Sequence, residues 1–166
     1  MENTLSQVDR FKEVMGNYPT GVTVVTTNDD KGVPYGLTVN SFASVSLEPL
    51  LILWSIDHRV SSLETFKKTE KFAVHVLAAE QQDICRLFAS KEKERFNSCE
   101  WKVSDLGLPI ISGVYATLQC KKFKQIEAGD HTILIGEVLD INIKEQEPML
   151  YHRRKFGRIP TEFYRQ

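Results

Sequence analysis

The sequence predicts a mainly β protein with short helices, folded as an antiparallel barrel. Segments rich in β-branched residues recur along the chain, and turn-forming residues separate them. The helical segments are few and short, and strands and helices do not alternate as they do in parallel sheets. About seven strands in this arrangement favour an antiparallel barrel over a doubly wound sheet.

Length and composition predict one domain, spanning residues 1–166. Apolar residues make up 42% of the chain, charged residues 26%, and the formal net charge is -1. This charge gives no support for nucleic-acid binding. The longest apolar run, at 49–54, is too short to cross a bilayer, and the N-terminus lacks the apolar core of a signal peptide. We therefore expect no membrane association and a cytoplasmic location.

The first elements are an amphipathic helix and a β-hairpin. The helix is predicted to end at Gly16 and Pro19, after apolar residues at helical spacing. Two segments rich in β-branched residues, 21–27 and 33–39, flank a turn at 28–32, and this pattern predicts a hairpin. The apolar side of the helix carries Val8, Phe11, Val14 and Met15.

The middle of the chain predicts two further strands, a short helix, another strand and a second helix. Residues 42–46 alternate between apolar and polar, whereas 50–56 are almost continuously apolar and predict a strand buried on both faces. A short helix should begin near Ser61. A strand at 72–77 and a helix at 80–89 follow.

The remaining chain predicts a long hairpin between two less regular segments. Residues 113–124 and 131–143 alternate in polarity and flank a turn at 127–130. The polar segment 90–108 is interpreted as an excursion or an oligomer arm. The basic and aromatic segment 148–158 is interpreted as irregular or one helical turn.

Several common site motifs are absent from the sequence. There is no G-x-G-x-x-G, no phosphate-binding P-loop and no G-x-S-x-G nucleophile motif. The three cysteines form no C-x-x-C pair, and the four histidines form no H-E-x-x-H. We therefore expect no metal site, and a nucleotide cofactor would have to be bound by another route.

Four polar stretches could carry chemistry. Small hydroxyl and amide residues crowd 36–49, which suits the edge of a planar heterocycle or a phosphate. Arg59 precedes two serines and could anchor a phosphate. A turn at 127–132 carries a histidine, and 151–158 is basic and aromatic. Taken singly, each of the first three is more typical of a solvated surface, and the fourth could be a solvated tail or a weak anion site.

In this order the stretches resemble the short-chain flavin reductase family. Its members are reductase components of two-component flavin monooxygenases, such as the 4-hydroxyphenylacetate and phenol hydroxylase systems. The resemblance implies an FMN-binding split barrel that forms a homodimer and holds flavin without a Rossmann domain. It is carried by Pro19–Thr27, Gly36–Phe42, Ser44–Pro49, Phe72–Leu77, Ala128–Ile133, Gly136–Val138 and the segment 148–151.

The resemblance also implies roles for particular residues. His131 corresponds to the position that meets the nicotinamide, and is the catalytic candidate. One departure is Val60, where many relatives carry serine, which removes a hydroxyl beside the expected phosphate site. The cofactor-binding candidates are Thr38, Val39, Asn40, Ser41 and Phe42 along the flavin ring, Ser44 and Ser46 at the ribityl or phosphate portion, Arg59, Ser61 and Ser62 at the phosphate, and Tyr151 and Arg154 at the pocket border.

The implied reaction is hydride transfer from NADH or NADPH to FMN or FAD. The reduced flavin would then diffuse to a separate monooxygenase. Three alternatives stay open at this point. They are a flavoprotein that holds FMN permanently and acts on another acceptor, an enzyme like pyridoxamine-phosphate oxidase on a related barrel, and a heme-binding or structural barrel.

Overall fold

The computed structural model describes residues 6–165, so residues 1–5 and 166 of the predicted domain lie outside the described range. The helices are α1 (Gln7–Asn17), α2 (Leu63–Lys68) and α3 (Gln82–Ala89), with 3-10 turns at Arg95–Ser98 and Thr161–Tyr164. The strands are β1 (Thr23–Asn28), β2 (Pro34–Val39), β3 (Ala43–Leu47), β4 (Leu50–Asp57), β5 (Lys71–Val76), β6 (Trp101–Val103), β7 (Pro109–Ile111), β8 (Ala116–Ala128), β9 (His131–Ile143), β10 (Met149–His152) and β11 (Lys155–Arg158).

Seven strands form one antiparallel sheet in the order β2-β1-β5-β8-β9-β4-β3. In the described residues the two edge strands, β2 and β3, are not paired with each other, so the barrel is open. The longest hairpin joins β8 to β9, each of 13 residues. Its turn is at Gly129, whose φ of 63° is a backbone conformation that glycine adopts without steric cost. This topology confirms the predicted mainly β, antiparallel fold.

Two apolar clusters stabilise the sheet, because each buried large side chain contributes about 1.5–3 kcal/mol of transfer free energy. The first cluster fills the space inside the sheet, and the second lies under α3 and the β6–β7 hairpin. The first contains Val25, Leu37, Ile52, Trp54, Ile56, Phe66, Phe72, Val74, Cys120 and Leu134. The second contains Val22, Val24, Leu77, Cys85, Phe88, Phe96, Ile111, Val114 and Met149.

A buried histidine on β5 links three strands. The side chain of His75 has no exposed surface. Its Nε2 accepts a hydrogen bond from the backbone N–H of Ile111 at 3.2 Å, so the proton is on Nδ1, which donates to the carbonyl oxygen of Val24 at 3.0 Å. The neutral ring thus holds β1, β5 and β7 together. Burial lowers the pKa of His75 to about 4, although the bond to Val24 opposes the shift.

The prediction that residues 50–56 are buried on both faces is wrong. Ile52, Trp54 and Ile56 are buried, whereas Leu50 is exposed and the residues between are half-buried. The second cluster explains the difference, because α3 and β7 pack mainly against β1, β2 and β5.

The prediction for 148–158 is also wrong, because this segment forms the β10–β11 hairpin. Its two turn residues, Arg153 and Arg154, have φ values of 49° and 62°. Hairpin turns with two consecutive residues of positive φ normally carry asparagine, aspartate or glycine at these positions. The two arginines therefore gave no turn signal in the sequence.

The segment 90–108 folds back onto its own domain and does not extend as an arm. Phe96 is buried in the second cluster. Its ring packs edge-to-face with the rings of Phe88 and Trp101, with centroid distances of 5.1 Å and 5.2 Å. Within residues 6–165, no helix has the length and apolar character needed to cross a membrane.

Candidate functional site

The candidate site is a cleft of about 820 Å³ beside the edge strand β2. Three segments form its walls: β2 with the residue before it, the loop ahead of α2, and the chain from the end of α3 into the 3-10 turn. The volume falls in the range of small-molecule and cofactor sites. Its lining residues are Val33–Thr38, Arg59–Ser62, Phe88–Lys93, Arg95 and Phe96.

Two contacts hold β2 against α3 beside the cleft. The hydroxyl of Thr38 donates to the carbonyl oxygen of Cys85 at 2.7 Å. A methyl group at Gly36 would lie 2.7 Å from Cε1 of Phe88. Glycine at this position therefore lets the phenyl ring pack directly on the strand.

The loop after β4 provides the second wall and a fixed cationic group. Arg59 is exposed, but its guanidinium forms a two-point contact with Asp57: Nε donates to Oδ1 at 3.0 Å and Nη2 donates to Oδ2 at 2.6 Å. Hydrogen bonds from Arg59 hold the pKa of the Asp57 carboxyl well below its usual range. Ser61 is exposed on the same loop, and Ser62 is buried at the start of α2.

The third wall is basic, and the sequence analysis did not identify it as part of a site. Lys91, Lys93 and Arg95 line this wall. The guanidinium of Arg95 donates through Nη1 to the carbonyl oxygen of Gly36 at 2.7 Å and through Nη2 to that of Ser90. Arg95 therefore connects the end of α3 to β2. The alternating charges of 90–95 are the one sequence feature that marks this wall, and such a pattern does not by itself indicate a cleft.

The remaining residues of the predicted ring-binding stretch lie beyond the cleft. Asn40 is exposed after β2, and Val39 and Phe42 pack against the first cluster. The hydroxyl of Ser41 accepts from the backbone N–H of Ser55 at 2.9 Å, which ties the segment to β4.

The two predicted serines of β3 lie at the edge of the sheet. Ser44 is exposed, and the hydroxyl of Ser46 accepts from the backbone N–H of Glu48 at 3.2 Å. Val60, where the resemblance leads one to expect serine, packs against the first cluster.

His131 lies next to the loop after β4 that carries Arg59, here called the arginine loop, across the β4–β9 pair. It is in register with Asp57, and its Nδ1 lies 2.7 Å from Oδ1 of Asp130. The β8–β9 turn is tied to this loop, because the backbone N–H of His58 donates to the carbonyl oxygen of Asp130 at 3.0 Å. The structure therefore brings the predicted phosphate and nicotinamide stretches to one end of the sheet.

Tyr151 and Arg154 lie on the separate β10–β11 hairpin. Tyr151 packs on Phe156, with ring centroids 5.4 Å apart, and joins the second cluster. Arg154 is exposed in the turn. Neither lines the cleft, although Phe88 and Phe96 of the same cluster do.

The residues of the cleft fit a nucleotide with a planar ring. Tyr35 provides partly exposed aromatic surface, Phe88 and Phe96 line the cleft as buried rings, and cationic groups on two walls provide partners for phosphate. Among residues 6–165, no group of three or more acidic, cysteine or histidine side chains is placed to hold a metal ion.

The fold and this cleft can be compared with known proteins. The family described as "Flavin reductase like domain" matches residues 15–160. The chain belongs to this family. That membership confirms the predicted family, and the solved structures of flavin reductases described next confirm the predicted fold class.

Curated relatives of this flavin reductase-like protein cover most of its length. It is 40% identical over 152 residues to the FMN reductase (NADH) SmoA of Agrobacterium fabrum. The aligned region covers 92% of this chain and 86% of SmoA. It is 38% identical over 154 residues to HsaB of Rhodococcus jostii, the reductase subunit of a flavin-dependent monooxygenase, covering 92% of this chain and 78% of that protein.

Solved structures agree with the fold over almost the whole chain. The NADH:FAD oxidoreductase SgcE6 of Streptomyces globisporus, in complex with NAD and FAD fragments, has a TM-score of 0.87, 36% identity and 93% coverage of both chains. BorF, the flavin reductase component of a bacterial two-component tryptophan halogenase, has a TM-score of 0.84 and 31% identity, covering 93% of this chain and 99% of that one.

Proposed function

We propose that the protein is an NAD(P)H-dependent flavin reductase and that the cleft beside β2 holds the flavin, FMN or FAD. The observation that carries the proposal is a cleft lined by Tyr35 and by cationic groups on two of its walls, in a chain of the flavin reductase family. The names of the relatives support the same activity, with NADH as the reductant of SmoA and SgcE6.

The bound cofactors supply the redox chemistry of this reaction, a hydride passed from the nicotinamide ring to the flavin ring. The chain needs only to position both rings and to balance charge. Arg59, Ser61 and Ser62 would hold the phosphate end of the flavin. Thr38, the one residue of the predicted ring-binding stretch that lines the cleft, would lie along the ring, where backbone N–H donors stabilise negative charge.

His131 is proposed to orient the nicotinamide. Its imidazole is partly exposed and is held by Asp130, beside the arginine loop. We expect His131→Ala to raise the KM for NADH about 10-fold, equivalent to about 1.4 kcal/mol of binding, with little change in the KM for flavin. Steady-state kinetics with each substrate varied in turn would measure this. Equal increases in both KM values would contradict the assignment.

One assay tests the proposed activity. The purified protein is mixed with NADH or NADPH and with riboflavin, FMN or FAD, and oxidation is followed at about 340 nm, where reduced nicotinamide absorbs. We expect flavin-dependent oxidation. If no flavin supports oxidation, the proposal is wrong. A yellow protein that keeps its FMN and oxidises no nicotinamide would support the alternative of a flavoprotein with another acceptor.

A separate monooxygenase is the proposed consumer of the reduced flavin. HsaB is named as the reductase subunit of a flavin-dependent monooxygenase, and BorF as the flavin reductase component of a two-component halogenase, which supports this step. The cytoplasm, where NADH is available, stays the predicted location. A dialysis membrane that passes flavin but not protein would separate the reductase from a flavin-dependent monooxygenase. We expect the monooxygenase to form its hydroxylated product in its own compartment when NADH is supplied only to the reductase.

We also propose that the protein is a homodimer. The apolar side of α1 is exposed, with Val8 at 60%, Phe11 at 66% and Val14 at 66%. Phe123, Ile141 and Ile143 of the β8–β9 hairpin are exposed as well. Exposed large apolar side chains in such numbers are typical of interfaces, and a stable interface buries about 1,600 Å² in total.

Sedimentation equilibrium tests the oligomeric state. We expect the wild-type protein to have twice the mass of one chain. Phe11→Glu should weaken the association at least about 10-fold, because a charge would be buried in an apolar contact. Lys12→Glu places the same residue on the polar side of α1 and serves as the control. A wild-type monomer, or equal effects of the two substitutions, would contradict the proposed interface.

A further inference from the structure

The two-point contact between Asp57 and Arg59 leaves part of the guanidinium unused. A guanidinium has five N–H donors in one plane. Asp57 accepts from Nε and from one hydrogen of Nη2. The outer edge, formed by Nη1 and the second hydrogen of Nη2, has no hydrogen-bond partner among residues 6–165. That edge has the spacing of two phosphate oxygens.

We propose that Asp57 is a positioning residue that presents this outer edge of Arg59 to the phosphate of the flavin nucleotide. The proposal rests on the proposed function of the cleft, which Arg59 lines. Asp57 would not touch the nucleotide, and it would act only through the guanidinium.

The exposure of the two side chains supports this role. The side chain of Arg59 is 87% exposed, whereas that of Asp57 is 21% exposed. Without a partner, an exposed arginine samples many rotamers, and ordering it on binding costs entropy. Asp57 removes much of that cost before the ligand arrives, which is the usual benefit of preorganisation.

The position of Asp57 makes it a rigid support. It is the last residue of β4 and is paired in register with His131 on β9. Its Oδ1 also accepts from the backbone N–H of Arg59 at 2.8 Å, so the carboxylate fixes both the loop and the side chain. A phosphate on the outer edge would be separated from this carboxylate by the guanidinium, and solvent screens the repulsion between the two anions.

The test compares FMN with riboflavin, which has the same ring but no phosphate. Dissociation constants are measured by fluorescence titration for wild type, Asp57→Asn, Arg59→Ala and the double variant. We expect Asp57→Asn to weaken FMN binding about 10-fold and to leave riboflavin binding unchanged. In the Arg59→Ala background, Asp57→Asn should have no further effect, because the pair acts as one unit. Asp105→Asn, an exposed carboxylate in the β6–β7 turn, is the control for charge.

Different outcomes separate this inference from the proposed function. A wild-type protein that binds neither FMN nor riboflavin would overturn the proposed function. If wild type prefers FMN and Arg59→Ala removes that preference, an Asp57→Asn variant with unchanged or tighter FMN binding would overturn only the role of Asp57. Equal weakening for FMN and riboflavin would do the same. Asp57→Glu, which keeps the charge and displaces the carboxylate, gives the same comparison if Asp57→Asn does not fold, with weakened FMN binding expected.

Discussion

Replacing Gly136 with alanine is expected to lower the free energy of unfolding by about 3 kcal/mol, at the upper end of typical overpacking costs. The added methyl group would lie 2.5 Å from Cζ of Phe72 and 2.9 Å from Cβ of Cys120. Both neighbours belong to the first apolar cluster and have no exposed surface. The methyl group can be accommodated only if the ring or the strands move, because a well-packed core has no spare volume.

Gly157→Ala is the matched control for this substitution. Gly157 is also in a strand, but a methyl group there would meet no atom within 4 Å. The control should change stability by less than about 1 kcal/mol, and loss of unfolded-state entropy favours a small gain. Urea denaturation of the three proteins measures the difference. If Gly136→Ala is as stable as the control, the close packing of β8 and Phe72 against Gly136 of β9 that is described here would be contradicted.

The second large effect concerns acid stability and His75. In the folded protein the pKa of His75 is about 4, compared with 6.5 for an ordinary histidine. Between these two values the unfolded chain binds a proton that the folded chain does not, so stability falls as the pH falls from 6.5 to 4. The loss from this residue should reach about 3 kcal/mol at the acid end and be absent above pH 6.5, on the scale of about 1.4 kcal/mol for each pKa unit.

His75→Gln removes the titrating group and gives the comparison. The variant should be less stable at about pH 7, because it loses the bonds to Val24 and Ile111 or makes them with poorer geometry. It should also lose less stability than wild type between about pH 7 and pH 4.5, because it lacks the contribution of His75. The contribution of the carboxylates that titrate in this range is the same in both proteins. Denaturant midpoints at the two pH values measure this. Parallel losses in both proteins would show that His75 is not the source.

Most of the sheet could be predicted because local patterns and tertiary packing agree. The strand at 131–143 was predicted with the bounds that the structure has, since alternating apolar residues in a long hairpin leave little choice of register. The helix at 82–89 lies within its predicted range. The hairpin at 149–158 was missed because Arg153 and Arg154 carry none of the usual turn chemistry.

The site was less predictable than the fold. Resemblance pointed to Arg59 and its loop, which do line the cleft. The basic wall with Lys91 and Arg95 depends on a segment that returns to β2 after α3, and no local pattern encodes that return. The role of His75 depends on the distant Ile111, and a lone histidine in a strand has no sequence signal for such a contact.

Each of the two apolar clusters has one of the two tryptophans packed within it or against it. Trp54 is fully buried in the first, and Trp101 packs half-buried against the second. The protein therefore contains one intrinsic fluorescent reporter for each cluster. With Trp101→Phe, the remaining emission follows the interior of the sheet alone, and with Trp54→Phe it follows the layer under α3. Coincident unfolding curves would show a single cooperative unit, and an earlier transition with Trp54→Phe would show that the layer under α3 opens before the sheet does.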